Sequence, residues 1–118
     1  MAHTPLPGKG PVRGSATGRP IMALLDLMGR RWALRIIWEL RDGPLTSRAL
    51  RAACDEASPT VLQTRLSELR DAGLIVHAAG RGYGLTALGG EFLQVSQPLY
   101  GFADRWAAAT NPGTTPTG

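Results

Sequence analysis

Apolar residues along 19–110 fall into helical groups separated by short runs of glycine, proline and aspartate. Pro20 to Met28 reads as a short helix. Pro20 sits in its first turn, where a missing N–H removes no bond, and Gly29 stops it. Arg30 to Arg41 reads as a second helix. Its Trp32, Ala33, Leu34, Ile36, Ile37, Trp38 and Leu40 cover most of the circumference and leave Arg31, Arg35, Glu39 and Asp42 as a polar stripe. A helix this apolar belongs at the centre of a fold, packed on several sides. Asp42-Gly43-Pro44 ends it with turn chemistry. Leu45-Thr46 fits one short strand, and Thr46 or Ser47 caps a third helix to about Ala53, with Ala49, Leu50 and Ala53 facing inward.

The pattern is sharpest from Ser58 to Ile75. Ser58 caps a fourth helix and Pro59 takes its first position. Leu62, Leu66 and Leu69 recur at i, i+4 and i+7, the spacing of one buried stripe. Gly73 supplies a left-handed C-terminal residue. Two short strands follow, Leu74–Ala78 and Tyr83–Leu85, around the loop Ala79-Gly80-Arg81-Gly82. Thr86 caps a last helical region from about 87 to 108, interrupted or kinked at Pro98. The order is helix, helix, strand, helix, helix, hairpin, helix. This is a mainly α (α+β) chain with a short β-hairpin wing, a winged helix-turn-helix in outline.

The segments outside this pattern differ in composition. Residues 1–18 are rich in glycine and proline, with almost nothing to bury, and read as a flexible N-terminal arm. Residues 111–118 read as a similar C-terminal tail, leaving 19–110 as the folded domain. The charge follows the same division. Of a net charge of +4, the arm and the stretch 30–51 supply the positive excess, and residues 52–118 are net acidic. A local basic balance favours a polyanionic partner without proving one.

The fourth helix is where the candidate chemistry lies. With the leucines inward, Thr60, Thr64, Ser67 and Asp71 point away, and Gln63 lies to one side of that outer face. A helix-turn-helix lays such a face in the DNA major groove, N-terminal end deepest. Glutamine can bond adenine bidentately, and threonine can bond a base edge or set its methyl on thymine. Ser58 and the first backbone N–H groups suit a phosphate, Arg65 flanks the face, and Arg81 is the one charged residue of the wing loop. The candidate DNA-binding set is therefore Ser58, Thr60, Gln63, Thr64, Arg65, Ser67 and Arg81. An amphipathic surface helix with a solvated face has the same pattern; the hairpin that follows favours DNA. His77 reads as a half-exposed strand residue and Tyr83 as a packed strand aromatic.

The last helical region and the first helix carry more apolar surface than a core of this size needs. Met22 and Leu25 on the first, with Leu99, Phe102 and Trp106 on the last, form an expected dimer interface across a two-fold axis. Aromatic residues near it (Trp32, Trp38, Tyr100, Phe102, Trp106) either line a pocket for a flat aromatic effector or simply pack.

At this point the chain resembles a known family. Leu25-Asp26-Leu27-Met28-Gly29-Arg30-Arg31-Trp32 is similar to the opening signature of HxlR-type winged helix-turn-helix regulators. Trp38-Glu39-Leu40 with Gly43-Pro44, Leu62 to Leu69 with Ala72-Gly73-Leu74-Ile75, and Tyr83-Gly84-Leu85-Thr86 with Gly89 follow in the family's order. The resemblance spans about residues 19–108. It implies a dimeric DNA-binding transcription regulator, joined through its first and last helices. Three positions depart from it. Arg19 stands before Pro20 where many relatives carry a redox-sensing cysteine, the wing is shorter than is usual, and Ser47 stands where relatives often have an aromatic residue.

Other classes find little support. There is one cysteine, Cys54, which rules out an internal disulfide and reads as a buried thiol. With two histidines and no metal spacing, nucleophile elbow or phosphate loop, an enzyme is not expected, nor a cofactor. No apolar run is long enough for a membrane span, and no signal segment is evident, so a cytoplasmic protein is expected. The alternative function is a winged domain that binds protein without specific DNA binding. An uncharged polar outer face at Thr60, Gln63 and Thr64 suits a groove better than an apolar partner.

Overall fold

Five helices and one hairpin account for most of residues 19–111, which the computed structural model describes. The arm expected over 1–18, and all but the first residue of the tail expected over 111–118, lie outside the described residues. The elements are α1 (Pro20–Met28), α2 (Ala33–Glu39), α3 (Ser47–Ala53), α4 (Pro59–Asp71), β1 (Ile75–Ala78), β2 (Gly82–Leu85) and α5 (Ala87–Thr110). Apart from the strand expected at Leu45-Thr46, their order and the mainly α balance are those the hydrophobic pattern predicts.

The core gathers where α2, α3, α4 and the hairpin meet. Ile36, Ile37 and Leu40 of the α2 segment pack with Leu50 and Cys54, with Leu62, Leu66 and Leu69 of α4, and with Leu74, Ile75 and Tyr83. Each of the three α4 leucines is fully buried and contributes on the order of 2 kcal/mol through removal from water. Every buried side-chain nitrogen and oxygen among the described residues has a hydrogen-bond partner. Among the same residues no helix is long and apolar enough to cross a membrane.

α2 is shorter than the pattern predicts, starting at Ala33 rather than Arg30 and ending at Glu39 rather than Arg41. The late start follows from Trp32, whose φ of 74° places it in the left-handed region and bars the helix from running back through it. That conformation costs a side-chain-bearing residue about 1–2 kcal/mol, so surrounding contacts must impose it. The α3 cap is Thr46, whose Oγ1 accepts from the Ala49 N–H at 3.1 Å. Ser58 holds the N-cap position of α4 but makes no side-chain capping bond, contrary to expectation. α4 ends as predicted at Gly73 (φ 79°), with Gly73 N–H bonded to the Arg70 carbonyl and Leu74 N–H to that of Leu69.

β1 and β2 pair antiparallel, with Ile75 opposite Leu85 and Ala78 opposite Gly82. The expected strand at Leu45 is a single bridge. Leu45 N–H donates to the Tyr83 carbonyl at 2.9 Å, and Tyr83 N–H donates back at 2.8 Å. Gly82 lies so close to the Leu45 carbonyl that a Cβ there would overlap it. Tyr83 is buried and its ring lies 4.5 Å from that of exposed His77, the two readings made of these residues. Thr86 ties the end of α4 to the start of α5. Its Oγ1 donates to the Gly73 carbonyl at 2.6 Å and accepts from Gly89 N–H at 3.0 Å.

α5 runs unbroken through Pro98, so the expected interruption does not occur. Proline leaves the Gln94 carbonyl without its helical donor, but both residues are exposed and water can serve it. Gly89, Phe92, Leu93 and Ser96 face the domain. Leu88, Val95, Leu99, Phe102 and Trp106 instead form a stripe about half or more exposed, spaced like the seam of a coiled coil.

Candidate nucleic-acid interface

α3 and α4 form the two arms of the site, and a tight turn sets the angle between them. Asp55 and Glu56 in that turn are both left-handed, with φ of 56° and 57°. Three bonds hold it. Glu56 N–H donates to the Arg51 carbonyl at 2.8 Å, Arg51 Nε donates to the Ala57 carbonyl at 3.0 Å, and Arg35 Nη2 donates to the Ala53 carbonyl at 2.7 Å. Cys54 fills the space beneath, fully buried. Glycine at position 56 would relieve the left-handed cost while giving up only an exposed 3.7 Å ion pair to Arg51. Glu56→Gly is therefore expected to stabilise the fold by about 1 kcal/mol. A lowered urea midpoint would refute this.

Thr60, Gln63, Thr64 and Ser67 are all exposed on α4, opposite the buried leucines. Gln63 has no hydrogen-bond partner among the described residues, so both ends of its amide are available to a ligand. Thr64 Oγ1 donates to the Thr60 carbonyl at 3.0 Å, which leaves its lone pairs free to accept. Ser58, exposed and not engaged in capping, stands at the N-terminus of α4 with that helix's first N–H groups. Arg81 is exposed at the tip of a three-residue turn in which Gly80 takes φ 77°.

Arg65 lies apart from the others. Its side chain is only 19% exposed. Nε donates to the Arg31 carbonyl at 2.9 Å and Nη1 to Glu68 at 2.9 Å. Much of the guanidinium is thus turned toward the α1–α2 corner instead of the solvent side of α4. Two cations that sequence reasoning passed over fit a phosphate better. Arg48 on the first turn of α3 and Arg70 on α4 are exposed and have no ion pair or hydrogen-bond partner for their side chains among the described residues. For Arg48 the signal was available, since it is the one charged residue of the turn that Thr46 caps.

Titration behaviour marks the interior. Burial pushes the Cys54 thiol above its ordinary value, with nearby Arg35 opposing in part. Nearer the surface, partial burial likewise raises Tyr100, which is still 37% exposed. Both groups are neutral below their pKa, so the fold favours the protonated form. The stability they lend is fully present below their unfolded values, about 8.5 and 10, and is lost as pH rises through the higher folded values. Urea midpoints are expected to hold flat from pH 6 to about 8 and fall beyond about 9. In the native protein Cys54 is expected to react with a disulfide reagent only as fast as the chain unfolds. Rapid reaction at pH 7 would contradict its burial.

A helix pair with a braced turn, a polar outer face on the second helix and a hairpin immediately after it defines a winged helix-turn-helix domain. The chain belongs to the HxlR-like helix-turn-helix family, whose model matches residues 27–111. It is thus a DNA-binding transcription regulator by family. Among solved structures it is similar to quinone-bound YodB from B. subtilis, at 28% identity and a TM-score of 0.67, covering 72% of this chain and 96% of that one. It is also similar to the reduced form of the same transcriptional regulator, at 26% identity and a TM-score of 0.64, covering 81% of this chain and 98% of that one. No curated protein matches the chain.

Proposed function

We propose that the chain acts as a homodimer on a palindromic operator, with Thr60, Gln63, Thr64 and Ser67 of each copy at base edges in the major groove. The observation that carries this is the outer face of α4, exposed, polar and uncharged, with the Gln63 amide unpartnered among the described residues. Ser58, Arg81 and Arg48 hold the phosphates. Arg65 sits at the edge of that set, with only the remaining edge of its guanidinium for the backbone. The dimer is supported by Met22, Leu25, Leu99, Phe102 and Trp106, each between 48% and 59% exposed in the single chain. Joining two such surfaces across a two-fold axis sets two copies of α4 roughly 34 Å apart, one turn of DNA. A regulator of this kind works in the cytoplasm, where its operator is.

A flat aromatic effector fits the same region. Trp38 lies with its ring centroid 5.5 Å from that of Tyr100, and the Arg41 guanidinium sits 4.1 Å over the Trp38 ring. The quinone on YodB supports this class of ligand. Because the Cys54 thiol is buried and held protonated, the effector would be held here by stacking and not by addition to sulfur.

The test is selection of the purified protein against random duplex DNA, read by sequencing. A palindromic motif supports the proposal, and no enrichment at moderate salt refutes it. On the selected site, Gln63→Ala is expected to relax preference at one base position by about 1–3 kcal/mol. Arg81→Ala should instead weaken all sequences alike and lower the salt slope by about one. Indistinguishable profiles for the two variants would overturn the division of labour.

A further inference from the structure

The recognition helix is held in two chemically different ways. Its leucine stripe presses into the core, and apolar contact of that kind resists separation but has little directionality. One flank also carries a directional contact. Both oxygens of the Glu68 carboxylate are engaged. Arg30 Nη1 donates to Oε2 at 2.6 Å and Arg65 Nη1 donates to Oε1 at 2.9 Å. The Arg30 fork reaches further, its Nη2 donating to Asp26 of α1 at 2.9 Å. Arg65 Nε returns to the Arg31 carbonyl at 2.9 Å. The peptide plane carrying that carbonyl is set in part by the φ of Trp32, the left-handed residue that shortens α2. These contacts join α1, the α1–α2 corner and α4 in one network, with Glu68 at its centre.

We infer that Glu68 is a positioning residue. Through Arg30 and Arg65 it fixes the roll of α4 relative to α1, and so the angle at which each copy presents its base-reading face. This rests on the proposed reading of α4 as the DNA helix and of α1 as part of the dimer contact. Since α1 carries Met22 and Leu25, a roll fixed against α1 is also fixed against the two-fold axis. The network therefore determines which half-site spacing the dimer accepts, while the bases read at each half-site stay the business of the outer face.

The experiment uses the full chain as wild type, Glu68→Gln and Arg30→Gln, selected on a library of half-sites joined by spacers of varied length. The wild type is expected to enrich one spacing roughly tenfold over spacings one base pair away. In the variants that preference should fall to about twofold, with the same half-site bases recovered. Wild-type spacing selectivity in both variants would overturn the inference. If a glutamine variant fails to fold, Arg30→Lys keeps the charge but gives up the fork that spans Asp26 and Glu68, and the same loss is expected. A second measurement needs no DNA. Spin labels at Ser67→Cys and Ile21→Cys, both exposed and in chain diluted with unlabelled protein, report the distance from α4 to α1. A narrow distribution that broadens with Glu68→Gln supports the clamp, and an unchanged width refutes it. Should the wild type select no DNA, the proposed function falls and the label distances alone decide the clamp.

Discussion

Gly89→Ala is expected to unfold the protein at a temperature about 10 °C lower, a loss of roughly 2 kcal/mol, although alanine is the better helix former. Gly89 sits in the first turn of α5, where a Cβ would fall on the carbonyl of Leu74. That carbonyl is backbone and already accepts the Thr86 N–H at 3.1 Å, so it has no rotamer through which to yield. The helix gains about 1 kcal/mol from losing a glycine, but overpacking against fixed atoms costs about 3 or more, so the clash decides the sign. Gly90 is the control. A Cβ there meets nothing within 4 Å, and Gly90→Ala is expected to stabilise by up to about 1 kcal/mol. Two neighbouring glycines, the same substitution and opposite shifts in thermal denaturation are the result to look for. A stabilised Gly89→Ala would mean that α5 does not seat on Leu74 as described.

The second large effect is on assembly. Trp106→Glu is expected to leave the monomer fold near wild-type stability, because Trp106 is 59% exposed and outside the core. In the proposed dimer that ring is covered, and a carboxylate there would be buried without a partner. The penalty is several kcal/mol, enough to raise the dimer dissociation constant a hundredfold or more. Operator affinity should fall by a similar factor, since two half-sites held by one dimer become two separate binding events. Sedimentation equilibrium of wild type and variant separates the possibilities. A wild type of one-chain mass at micromolar concentration would sink the dimer, and an unchanged variant dimer would move the interface elsewhere.

The elements with strong local signals were legible from the residues alone. Pro20 and Gly29 bracket α1 at the observed ends, and the leucines at 62, 66 and 69 placed the buried face of α4 correctly. What was not legible depends on contacts remote in the chain. Trp32 is left-handed, a conformation no propensity assigns to tryptophan, and its neighbour's carbonyl is tied to Arg65, 34 positions away. The inward turn of Arg65 has the same origin. Helical spacing puts it on a flank, and only the approach of the α1–α2 corner decides which way the guanidinium goes. Pro98 misled for the opposite reason. A local rule allows a break there, yet the helical bonds on either side carry α5 through it, with Gln94 and Pro98 both exposed to water. Ser58 shows that a good capping residue in the capping position need not cap.

The hairpin carries one more consequence. Just short of the turn it is stitched to Leu45 by two backbone bonds at Tyr83 and closed by Gly82, whereas its tip is only Ala79, Gly80 and Arg81. Everything that sets the fold lies on one side of that three-residue boundary, and reach lies on the other. The tip is thus a natural insertion point. Added residues there would lengthen the arm without editing the body, so the proposed contact of the wing with DNA could be graded by length alone.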